Sequence, residues 1–170
     1  MFKKLMGIAI LAAIIGLAIF FIATMPQKIE AAALPNHTPD LQNGETLFWA
    51  GGCASCHAAP KATGEDKLVL SGGQKLETPF GTFVVPNISS NPDVGIGAWS
   101  NADFVTAMSK GVSPAGDHYY PAFPYENYQY MPLEDLIDLK AYLDTLPASD
   151  VASLDHELGF PFNMRRGLGL

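Results

Sequence analysis

The chain of 170 residues is long enough for one ordinary domain with extensions, and at 48% apolar composition it can bury a core, which excludes wholesale disorder. Apart from Lys3 and Lys4 it carries 8 basic against 17 acidic residues, a balance of −9, which excludes a nucleic-acid binder and favours a partner with a basic patch. Two cysteines exclude a four-cysteine zinc site and a multi-disulfide scaffold.

Leu5 to Thr24 are twenty consecutive uncharged, nearly all apolar positions. As a helix rising ~1.5 Å per residue they span ~30 Å, one hydrocarbon core. Lys3 and Lys4 precede the run, and positive charge stays on the cytoplasmic side. Residues 1–26 therefore read as a membrane anchor, with the body of the chain on the far side of the bilayer. The competing reading is a cleaved secretory signal with Ala31-Ala32-Ala33 as its small-residue site, although signal cores usually run only ~7–15 residues. Either way the body occupies the same compartment, and residues 27–37 read as a tether.

A helix is predicted from Thr38, with Thr38 as cap, Pro39 at the first position and Asp40 in the first turn. Leu41, Leu47, Phe48 and Trp49 give it an apolar surface, and Gly51-Gly52 ends it. From Ala58 to Ala98 no helical period is sustained, Gly and Pro recur, and one short extended pair is expected at Gly81 to Val85. A loop this long inside a compact domain needs a reason, and a large prosthetic group is one. A second helix opens at Ser100, where Ser100 and Asp103 make a capping box; it buries Phe104, Val105 and Met108 and ends at Gly111. A third opens with Pro132 at its first position, carries Leu133, Leu136, Ile137, Leu139, Leu143 and Leu146 on its apolar side, and stops at Pro147. The expected fold is a small all-α domain over residues 38–147. A tail over 148–170 is expected on its surface or against another subunit.

Cys53-x-x-Cys56-His57 has the spacing of a c-type haem attachment motif. Two thiols one helical turn apart reach the two vinyl groups on one porphyrin edge, and the adjacent His projects over the ring to bind iron. A thioredoxin-like redox pair needs a βαβ setting that is absent here, and a zinc site needs further ligands at metal spacing. The expectation is one covalent haem c. Its sixth ligand is open among Met131, Met108, His118 and His156. Met131 is favoured because it lies just before the third helix, at the end of the aromatic run Tyr119 to Tyr130, and Met opposite His raises the potential. Met108 reads as core filler, and His37, His118 and His156 as solvated residues. Trp99 reads as pocket lining, with an indole N–H able to reach a haem propionate. Glu134 and Asp135 are first-turn charges that suit the helix dipole.

The order of helix, Cys53-x-x-Cys56-His57, loop, Met and C-terminal helix resembles class I cytochrome c. The residues Gly44-Glu45, Leu47-Phe48, Gly51-Gly52, Thr78-Pro79-Phe80-Gly81-Thr82-Phe83 and Pro86-Asn87-Ile88-Ser89 are similar to the cytochrome subunits of membrane-bound bacterial alcohol, gluconate and related dehydrogenases. So are Gly95-Ile96-Gly97, Trp99-Ser100, Tyr120-Pro121-Ala122-Phe123-Pro124-Tyr125 and Met131-x-x-Glu134-Asp135-Leu136. The resemblance covers residues 40–147. It implies a class I cytochrome c fold behind an N-terminal transmembrane helix, with Cys53 and Cys56 carrying the haem, His57 proximal and Met131 distal. Such subunits often carry two or three haem domains, whereas this sequence has one haem motif, and Phe160-Pro161-Phe162-Asn163-x-Arg165 resembles the linker into a second. The implied function is electron transfer without catalysis, on the periplasmic face of the bacterial cytoplasmic membrane. Its partners would be a dehydrogenase subunit and a downstream oxidase or quinone. The alternatives are a haem enzyme or gas sensor with an open iron site, and a structural haem subunit.

Overall fold

The computed structural model describes residues 2–169. Helix α1, Phe2–Ala23, buries none of its side chains and has a mean hydropathy of 2.9 over its most apolar window, long and apolar enough to cross a membrane. Its end is seated on the folded body. Thr24 is 0% exposed, and its carbonyl accepts from His118 Nε2 at 3.0 Å. Arg166 Nε donates to Thr24 Oγ1 at 2.9 Å and its Nη2 to the Phe21 carbonyl at 2.7 Å. A cation on the last carbonyls of a helix satisfies orphan acceptors and opposes the negative dipole end. The chain then continues along the body, where the Ile29 N–H donates to Thr106 Oγ1 at 2.9 Å and Lys28 Nζ to the Pro114 carbonyl.

Helix α2 spans Leu41–Ala50, and its cap is Asp40 rather than Thr38: the Asp40 carboxylate accepts from the Gln42 and Asn43 N–H groups. The Asp40 N–H is itself taken by Asp138 Oδ1 at 2.8 Å, which holds residue 40 extended and moves the helix start beyond Pro39. After the short helix α3, Cys53–His57, a hairpin pairs β1, Lys75–Thr78, with β2, Gly81–Val84. Helix α4, Asn101–Lys110, has the expected capping box of Ser100 and Asp103 and ends at Gly111 with φ +62°. After the single turn α5, Tyr125–Tyr128, comes α6, Leu133–Thr145, with Pro132 as its extended N-cap (ψ 142°) instead of its first helical residue.

Helices α2 and α6 pack against each other through Gly44 and Phe48 of α2. A Cβ on Gly44 would lie 2.2 Å from the Asp138 carbonyl oxygen, so only hydrogen fits there. Phe48 is fully buried, its ring 5.4 Å from that of Tyr142. Phe104, Val105, Leu136 and Leu143 complete the core with Leu70 from the long loop.

The all-α expectation is corrected by a small sheet. Strand β3, Glu157–Leu158, adds antiparallel to β2 and gives three strands in order β1-β2-β3. Four-residue and two-residue strands are too short to show an alternating pattern, so only the Gly81 to Val85 stretch reads as extended and the rest reads as loop. The tail beyond α6 is built into the body. Asn87 Nδ2 donates to the carbonyls of Ser149 (3.1 Å) and Val151 (2.7 Å), and its N–H donates to Ser153 Oγ at 2.9 Å.

Candidate functional site

Gly51 closes α2 and Gly52, with φ +67°, turns the chain into α3. One turn of helix then presents two free thiols, a half-buried Cys53 and an exposed Cys56, with His57 following. His57 Nδ1 lies 2.9 Å from the Pro86 carbonyl, which can only accept. Nδ1 therefore carries the proton, and Nε2 is left with a lone pair for a metal. Burial pushes the imidazole below its usual range against the opposing effect of the Pro86 bond, so the ring stays neutral, as a ligand must. Burial likewise pushes the Cys53 thiol up to about 11.

Glycine 72 holds the Pro86 segment in place. Its φ is +70°, its N–H donates to the His57 carbonyl at 2.7 Å, and a Cβ there would come within 2.5 Å of the Pro86 carbonyl. Bonds from Gly73 to Val85 (2.8 Å) and from Ile88 to Leu70 (2.9 Å) brace the same segment.

These groups open on a cavity of about 500 Å³. Cys53, Cys56, His57 and Trp99 all line it, so four of the five site residues expected from sequence come together. Met131, the fifth, is not among the lining residues. It is half-buried and packs against the hydrophobic core, whereas Met108 lines the cavity. The three histidines expected in solvent are all engaged. His37 Nε2 bonds Asp138 Oδ1 at 2.6 Å, His118 bonds Thr24, and His156 sits in the cavity wall with its ring 5.4 Å from those of Phe83 and Tyr120. Sequence reasoning weighed His156 as a distal ligand but favoured a solvated role for it, and it did not place Arg165 in the cavity wall. The only available signal was that Arg165-Arg166 is the sole basic pair outside the N-terminus.

The arrangement fits a covalently attached haem. The thiols sit one turn apart on one wall, the imidazole offers Nε2, and the cavity lies within the ~300–1,000 Å³ range of ligand sites. Residues 41–147 match the cytochrome c family. The chain belongs to that family. Membership implies covalent haem c and an electron-transfer role for the matched domain. A diheme cytochrome c-type protein of Cereibacter sphaeroides is 54% identical over 91% of this chain and 54% of its own length. The fructose dehydrogenase cytochrome subunit of Gluconobacter japonicus is 33% identical over 85% of this cytochrome and 29% of the relative. The gluconate 2-dehydrogenase cytochrome c subunit of Pantoea cypripedii is 34% identical over 76% and 29%. The cytochrome thus spans about half the length of the diheme relative and under a third of the other two.

Proposed function

We propose that the protein is a single-haem c-type cytochrome acting as the electron-transfer subunit of a dehydrogenase, with α1 crossing the bacterial cytoplasmic membrane and the haem domain on the periplasmic face. It would hand electrons to a downstream oxidase or quinone. The observation that carries this reading is the convergence of Cys53, Cys56 and a Pro86-bound His57 on one cavity. Dehydrogenase partnership is supported by the names of the relatives.

When bound, the haem supplies a one-electron ferric/ferrous couple. The chain does the rest. Cys53 and Cys56 would hold the group through thioethers, and His57, its ring fixed by the Pro86 carbonyl, would offer Nε2 to the iron. Trp99 and the aromatic loop exclude water. Met131 is the proposed distal ligand; it neighbours the cavity through Tyr128, a lining residue whose carbonyl accepts from the Met131 N–H at 3.0 Å.

A second reading, an open-iron haem enzyme or sensor, is favoured by one observation, the absence of Met131 from the cavity lining. Spectroscopy of the matured protein separates the two. The ferric form is expected to show the charge-transfer band of a Met–iron bond, lost in Met131→Ala and kept in Met108→Ala. The opposite pattern assigns the bond to Met108. A high-spin ferrous form that binds carbon monoxide in the unmodified protein replaces the carrier reading. Cys53→Ser/Cys56→Ser is expected to abolish covalent haem, read on a denaturing gel; a stained band in that variant sinks the attachment scheme.

A further inference from the structure

Four polar wall residues of the cavity, Ser153, Asp155, His156 and Arg165, come from the tail, beyond the residues 41–147 that match the family. Arg165 is the only Lys or Arg among the residues lining the cavity, and its guanidinium carbon stands 5.1 Å from the centroid of the Tyr120 ring. None of the ion pairs among the described residues uses it. His156 Nδ1 accepts from the Val84 N–H at 3.1 Å, so its proton is on Nε2. That ring is clamped between Phe83 and Tyr120, and β3 begins at the next residue. One wall of a largely apolar cavity therefore offers a planar fork of donors and an N–H. A haem carries two carboxylates, and burying one without a partner is costly. A guanidinium fork matches a carboxylate in shape and charge.

We propose that Arg165, with His156 beside it, holds a carboxylate of the haem, so that the tail is part of the cofactor site and sets its potential. The inference rests on the haem reading above. A cation beside the haem disfavours the ferric state, which carries one more positive charge than the ferrous, and so raises the potential. At an effective dielectric of about 20, loss of one nearby charge shifts the reduction equilibrium on the order of tenfold, which is ~59 mV for one electron. Asp155, the one carboxylate in the lining, already sets a negative charge beside this wall, so removing the cation leaves that charge unopposed.

The experiment uses the full chain matured with haem in mild detergent. Covalent attachment is checked first by haem stain, and its failure in the wild type overturns the functional reading, not this one. Redox titration of Arg165→Gln is expected to show a potential lower by about that tenfold shift, with Arg165→Lys restoring most of it. The propionate-bending bands in resonance Raman are expected to move in Arg165→Gln and in His156→Asn. Haem-loaded Arg165→Gln with an unchanged potential and unmoved bands overturns the proposal. If that variant does not accumulate, unmoved bands in both Arg165→Lys and His156→Asn overturn it equally.

Discussion

Asp138 is a charged residue at the crossing of two helices, only 3% exposed. Burial raises the pKa of a carboxyl, yet donors from Asn43 (2.9 Å), the Asp40 N–H (2.8 Å) and His37 (2.6 Å) more than offset it and hold Asp138 below its ordinary value. A group whose pKa is depressed on folding adds stability above its unfolded pKa and loses it as pH falls through the folded one. Wild type and Asp138→Asn are therefore expected to differ most near neutrality and to converge in acid, below the usual aspartate range. Urea unfolding across a pH series checks this. A gap that stays constant to the lowest pH contradicts it. The residue also marks a limit of sequence reading: His37 looks solvated because its partner lies 101 positions away.

The same contact sets the geometry of the elements. Helices α2 and α6 approach closely because position 44 has no side chain, and the carbonyl of Asp138 occupies the space a Cβ would need. Gly44→Ala is expected to destabilise the haem-loaded protein by about 1–3 kcal/mol through forced separation of the helices, read as a lower urea midpoint with unchanged slope. An equal midpoint contradicts the close approach. Helix α4 was fully legible in the sequence because its cap, Ser100 with Asp103, and its stop, Gly111, are local. The start of α2 was not, since the choice of Asp40 over Thr38 depends on a bond to Asp138. The sheet was half legible, with an extended stretch expected at Gly81 to Val85 but its partners Lys75–Thr78 and the two-residue β3 invisible.

For the whole molecule, the haem motif and its proximal histidine were legible because the chemistry fixes their spacing. The cavity's far wall was not, because it is made by a tail with no periodicity. That tail also reaches the anchor, where Arg166 grips Phe21 and Thr24. Arg166→Gln is expected to free residues 24–29 from the body, and in nanodiscs the segment should be cleaved by protease about fivefold faster, the equivalent of one lost hydrogen bond of about 1 kcal/mol. An unchanged cleavage rate means the grip contributes nothing. The tail's position in the cavity wall has a further consequence for manufacture. Synthesis runs from the N-terminus, so Cys53 and Cys56 emerge about a hundred residues before His156 and Arg165. For that interval one wall of the crevice does not yet exist, which leaves it open at the side. The later stretch that carries His156 and Arg165 then closes that side.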